Sequence, residues 1–141
     1  MAKVIIRNTH QETVVKVYGA AGVTETITLA TDLLIPAQAL DGATQTATIT
    51  GVTWTGDTNG IVTISRNSAR IMTLQANAAG MLFFEGQSMP PDNVNPTHNI
   101  VVAITGAASE CWIKIRKVSG YASKIETATF GAYDDETLVG S

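Results

Sequence analysis

A single cysteine, Cys111, stands in 141 residues, so neither an internal disulfide nor an all-cysteine zinc site can hold this chain together. Charge is also scarce. Lys, Arg, Asp and Glu make up 15% of the residues, against about a quarter in an ordinary globular chain. Net charge is −3 and the nine basic residues are scattered. That argues against general nucleic-acid binding, which needs a basic patch to release counterions from phosphate. Long apolar runs are missing too. No stretch approaches the roughly 18 apolar residues of a membrane span, and the first residues lack the apolar core and cleavage site of a signal peptide. These absences predict a chain folded in a cytoplasm, with no membrane contact.

What fills the sequence is alternation. Hydrophobic residues make up 45% of the chain, and they recur with period two, which sends alternate side chains to opposite faces of a sheet. Lys3–Arg7 and Thr13–Tyr18 read as strands of a hairpin across the polar Asn8–Glu12. Val23–Leu29 sets Thr24, Thr26 and Thr28 on one face and Val23, Ile27 and Leu29 on the other. Threonine is β-branched and favours an extended backbone, while its hydroxyl tolerates water, so this row predicts a neutral outer face. Thr46–Trp54, Gly60–Ser65 and Arg70–Gln75 follow as three strands, with Thr55–Gly60 and Arg66-Asn67-Ser68 as turn clusters between them. Ile49 and Val52 are out of phase around Gly51, which predicts a bulge.

Other segments carry weaker patterns. Pro36–Leu40 permits a short helical turn with proline near its first position. Gly80–Glu85, with Met81-Leu82-Phe83-Phe84, is apolar enough to predict a strand buried on both sides. Gln87–His98 holds three of the four prolines and predicts a long loop, because proline cannot donate within a sheet. Asn99–Thr105 and Glu110–Lys117 predict a hairpin across Gly106–Ser109. Ser123–Phe130 offers a further strand, and residues from about 131 form an acidic tail. The sum is one all-β domain spanning residues 1–141, an antiparallel β-sandwich or jelly-roll-like fold of about nine or ten short strands.

No recognisable chemistry is written along this scaffold. Gly-rich phosphate loops, nucleophile elbows and HExxH motifs are all absent. His10 and His98 fall in predicted loops; a metal site would need a carboxylate or other third ligand brought to them in space, and solvated loop histidines are the expected reading. Cys111 shares an inward phase with Ile113 and Ile115, which suits a small buried hydrophobe better than a nucleophile. Asp134-Asp135-Glu136 lacks calcium-loop spacing, and Gly56-Asp57-Thr58-Asn59-Gly60 is better explained as a hairpin turn than as an ion loop. Accordingly no enzyme activity, cofactor or metal is expected. Trp112, Lys114 and Arg116 share one strand face, suited to stacking a base or sugar or to meeting acidic groups on a neighbouring subunit. Trp54, between Thr53 and Thr55, is either a core tryptophan or a glycan platform.

Two resemblances bear on these residues. Val52-Thr53-Trp54-Thr55, a Gly-Asp turn and Gly60–Ser65 resemble the strand rhythm of bacterial Ig-like domains. Over most of its length the chain more closely resembles the small, neutral β proteins of tailed-phage particles, above all capsid decoration (cement) proteins. The residues behind this likeness are the strand beginning at Ala2-Lys3-Val4, the few charges, the polar loops, and the segments Arg116–Tyr121 and Phe130–Asp135. The kinship implies a virion protein on the capsid surface, made in the host cytoplasm. It would form a homo-oligomer, with a trimer favoured, binding major capsid subunits or another virion protein. The first strand or the Gln87–His98 loop is the expected contact. A neck, tail or baseplate subunit and a glycan- or cell-surface-binding module are the alternatives.

Overall fold

The computed structural model describes residues 3–76, 79–83 and 96–123. Within them the chain builds eleven strands and no helix, and the fold is an antiparallel β-sandwich. β1 (Lys3–Asn8), β2 (Glu12–Gly19), β5 (Thr46–Gly56), β8 (Gly80–Phe83) and β10 (Ser109–Ser119) form a five-stranded sheet in the order β1-β2-β10-β5-β8. β3 (Thr24–Ile27), β6 (Ile61–Arg66), β7 (Ala69–Gln75) and β9 (Ile100–Thr105) form a four-stranded sheet in the order β3-β9-β6-β7. A two-stranded ribbon of β4 (Gln38–Leu40) and β11 (Tyr121–Ser123) completes the described part.

Between the sheets lies the core that the alternation predicts. Val15 and Val17 of β2, Ile113 and Ile115 of β10, and Ile49 and Val52 of β5 face Ile27, Val62, Ile64, Val102 and Ile104. All of these are fully buried. Each contributes on the order of 1.5–3 kcal/mol by leaving water, so the two inward faces together supply most of the drive to fold. The bulge is present. Lys114 pairs with Gly51 and Ile115 with Ile49, leaving Thr50 as the extra residue that restores Ile49 and Val52 to the same inward side. Gly51 is needed for a second reason, since the Phe83 ring of β8 lies where its Cβ would be.

Several expectations change in three dimensions. Asn99–Thr105 and Glu110–Lys117 do not form a hairpin: β9 pairs with β3 and β6, and β10 with β2 and β5. The chain crosses from one sheet to the other at Gly106, whose positive φ of 80° suits glycine. Its missing side chain also leaves room for the Asn59 carbonyl. Gly56–Gly60 likewise carries the chain between sheets rather than closing a hairpin. The hairpin turn lies at Asn67-Ser68, both at positive φ, as a type I′ turn between β6 and β7 requires. Pro36–Leu40 is no helix; the Gln38 amide donates to the Ile35 carbonyl and the chain then enters β4. Of the predicted strand Gly80–Glu85, the described part Gly80–Phe83 is not buried on both sides. Among the described strands β8 lies at the sheet edge, and its Met81, Leu82 and Phe83 are exposed; a continuous apolar run does not by itself reveal whether a further strand or layer covers it. The predicted Gln87–His98 loop lies outside the described residues except for Pro96–His98, as do the expected strand beyond Ser123 and the acidic tail.

Two buried cations close one end of the sandwich. Arg66, placed by sequence in a turn, instead ends β6 fully buried. Its guanidinium donates to the carbonyls of Ala47 at 2.8 Å, Pro96 at 3.0 Å and His98 at 2.6 Å. Lys117 donates from Nζ to the Thr9 carbonyl at 2.7 Å and to Gln38 Oε1 at 2.8 Å. Gln38 passes the bond on to the His10 carbonyl, and the Tyr121 hydroxyl donates to the Leu29 carbonyl. Replacing Arg66 with Ala should therefore strand several carbonyls and cost on the order of 3–5 kcal/mol. Urea unfolding should show a lower midpoint with an unchanged slope; a loss below 1 kcal/mol would contradict this role.

Candidate functional site

The two outer faces of the sandwich differ sharply, and they are the surfaces on which function can rest. On the four-stranded sheet the register sets Thr24, Ala103, Thr63 and Thr73 side by side across all four strands. The next row is Thr26, Val101, Ser65 and Arg70. Apart from Arg70 these are short, neutral side chains. Thr24, Thr26 and Thr73 are exposed, and the rest of the first row is half-buried. Thr24 and Thr26, from the threonine row read in Val23–Leu29, are thus one margin of a low, mostly neutral surface whose charge among these two rows is Arg70 on β7.

The five-stranded sheet carries the charge. Trp112, Lys114 and Arg116 do share its outer face, as expected, and cross-strand pairing brings Lys16 and Glu12 opposite Trp112 and Arg116. The Lys16 ammonium sits 5.2 Å from the Tyr18 ring centre and 5.3 Å from that of Trp112, within cation–π range. It also lies 3.7 Å from Glu110. Glu12 takes Lys114 at 3.2 Å and Arg7 at 3.8 Å. These exposed pairs are each worth less than about 1 kcal/mol, but they fix how the face is laid out. A groove of about 290 Å³ on this face is lined by Trp112, Phe83, Val14 and Thr53 together with Glu12 and its partners Arg7 and Lys114. Sequence reading found Trp112, Lys114 and Arg116 by phase alone. It missed Lys16, Tyr18, Glu12 and Phe83, which reach the same face only through strand pairing.

The remaining candidates separate. His10 and His98 are both exposed and lend only their backbone carbonyls to the sandwich end. Trp54 is half-buried and packs against the core, with its indole nitrogen enclosed and without a hydrogen-bond partner, so its ring is no open platform. Gly56 and Asp57 line a shallow cleft of about 320 Å³ with Tyr18 and Glu110. Asp134-Asp135-Glu136 lies outside the described residues. Among the described residues no three His, Cys, Asp or Glu side chains gather as metal ligands.

Burial governs the titration of three groups. It pushes the Cys111 thiol up to about 12, against a hydrogen bond with the Val17 backbone that lowers it. It holds the Lys117 amine down near 8. It also lifts the Tyr121 phenol to about 12, partly countered by the nearby Arg66 charge. A thiol this protonated and enclosed is unreactive, so a disulfide reagent should label Cys111 at least 1,000-fold faster in denaturant than in the native protein. Comparable rates would show that the core opens readily. With Lys117 depressed below its unfolded value near 10.4, stability rises as pH climbs from about 8 to 10, because the unfolded chain holds the extra proton. Cys111 and Tyr121 act in the opposite sense: their stabilisation is complete below their unfolded values near 8.5 and 10 and is lost above them. The wild type should therefore be nearly flat from pH 8 to 10 and weaken beyond. A Cys111→Ala variant should gain on the order of 1–2 kcal/mol over that window; a flat profile in that variant would count against the Lys117 assignment.

No protein-family model and no curated protein matches this chain.

Proposed function

We propose that the protein is a non-enzymatic structural subunit of a tailed-phage particle, a capsid decoration (cement) protein that stabilises the head by binding major capsid subunits. In this reading it is a homo-oligomer on the capsid surface, with a trimer as the favoured form, and it uses no cofactor, nucleic acid or membrane. One observation carries the reading: an outer sheet face made mostly of short neutral side chains, from Thr24 and Thr26 to Thr63 and Thr73, with Arg70 at its β7 edge as the exception. Packing such a face against another protein strips little water from charged groups, and threonine hydroxyls can exchange bonds with water for bonds across the contact. A cement protein needs surfaces, not chemistry. Modest contacts repeated at many equivalent sites of a lattice become strong through multivalency.

The first strand, expected to touch a partner, is an edge strand in which Val4, Ile5 and Ile6 are exposed. Its bulge at Ile6 blunts simple strand addition, so side-chain contact is the better use of this edge. The neutral face would serve a neck, tail or baseplate subunit equally well. A glycan module fits less well, because Trp54 is packed inward and the Trp112 and Tyr18 rings already hold the Lys16 ammonium.

The decisive experiment adds purified protein to phage heads assembled without it. Saturable binding and greater resistance of the heads to heat or low salt are expected. Thr26→Arg with Thr73→Arg, at two exposed positions, should weaken binding at least tenfold while leaving the unfolding midpoint nearly unchanged. Absence of binding to heads would remove the decoration role, and undiminished binding by the double variant would remove the neutral face from it.

A further inference from the structure

The charged face of the five-stranded sheet has an excess that the described residues do not balance. Arg7, Lys16, Lys114 and Arg116 stand there against Glu12 and Glu110, four cations to two carboxylates. Arg116 is exposed and makes no ion pair among the described residues, the pairs on this face being those of Arg7, Lys16 and Lys114. Beside Lys16 and Arg116 lies the groove lined by Trp112 and Phe83, whose lining also holds Glu12 with its two partners Arg7 and Lys114, two cations to one carboxylate. A site of this composition suits an extended peptide bearing carboxylates and an aromatic side chain, one for the guanidinium and ammonium groups and the other for the ring-lined trough.

The same chain contains a segment of that composition. After Phe130 come Tyr133, Asp134, Asp135 and Glu136, and no Lys or Arg follows Lys124. Three carboxylates there meet a two-charge excess on the face. Thirteen residues run from Lys124, just past the end of β11, to Glu136. Fully extended they span up to about 45 Å, a little more than the roughly 35–40 Å width of a folded domain of this size. We infer that the groove beside Trp112 is a docking site for the acidic, aromatic C-terminal segment Phe130–Glu136 of a second copy of this chain. Each copy then both offers and accepts a segment, a head-to-tail contact that propagates around a ring or along a lattice. The site is separate from the neutral face, and it needs no particle in order to form.

The test uses the purified protein and a labelled peptide of residues 130–141. A variant ending at Thr129 should bind the peptide saturably, and several-fold more weakly when salt rises from 50 to 300 mM. Lys114→Glu with Arg116→Glu should weaken binding at least tenfold. A peptide with Asp134, Asp135 and Glu136 changed to Lys should recover binding to that double variant, a rescue that misfolding could not produce. In light scattering the full chain should associate with rising concentration, and the shortened chain should remain monomeric at the same concentrations. No peptide binding, or binding indifferent to the charge reversals, overturns the site. A full chain that stays monomeric while only the shortened chain takes up peptide assigns the groove to the chain's own tail and overturns the second-copy assignment. Neither result depends on binding to phage heads, so this contact and the decoration role can fail separately.

Discussion

The guanidinium of Arg66 ties together parts of the chain that would otherwise have no common anchor. It projects from the end of β6 in the four-stranded sheet and reaches the Ala47 carbonyl of β5 in the other. Through the carbonyls of Pro96 and His98 it also fixes the chain entering β9. A fully buried cation is costly unless hydrogen bonds replace its water, and here backbone oxygens do so. Lys117 repeats the device a short way off, joining the Thr9 turn to Gln38 of the β4–β11 ribbon. Where the apolar layers end, carbonyls freed from the sheet ladders need donors, and these two cations supply them.

With that end closed, the rest of the sandwich is left to present two unlike faces. One bears rows of threonine, serine and alanine with Arg70 as its charge; the other bears tryptophan, tyrosine and the four outward cations Arg7, Lys16, Lys114 and Arg116. The difference matters because desolvation sets the cost of association. A neutral, short-chained face gives up little on contact with another protein, whereas the charged face favours a partner of complementary sign. A chain with so few charges has placed most of its outward cations on one side, and this asymmetry gives the molecule two distinct kinds of contact surface.

Much of this was legible beforehand, and the reasons are particular. Thr24 and Thr26 announced a strand and its wet side because period two is a local property of an extended backbone; Thr28 instead lies past the end of β3, half-buried, with its amide donating to Asp32. The phase break between Ile49 and Val52 located the bulge at Thr50–Gly51, since only an extra residue lets both point inward. Cys111 could be placed in the core from Ile113 and Ile115 alone. The errors are equally instructive. β9 and β10 looked like a hairpin because a short Gly-containing link joins two alternating strands, yet the same link serves a chain crossing between sheets. Met81-Leu82-Phe83 looked doubly buried because apolarity records what a strand can tolerate, not what covers it. Arg66 was read as part of a turn, for nothing in its neighbours shows that three distant carbonyls converge on it.

The sequence by itself determined the strands of the two main sheets, though not the β4–β11 ribbon, and with them most inward and outward sides, the neutrality of the threonine row and the absence of any recognised catalytic motif. These depend on backbone preference and alternation over a few residues. Only the tertiary structure decided which strands are neighbours, that Lys16 and Tyr18 join Trp112 on one face, that Phe83 walls a groove over Gly51, and that Arg66 and Lys117 seal one end. Each of those is a pairing between residues far apart in the chain. Such pairings are chosen by the packing of the whole sandwich, and no local pattern encodes them.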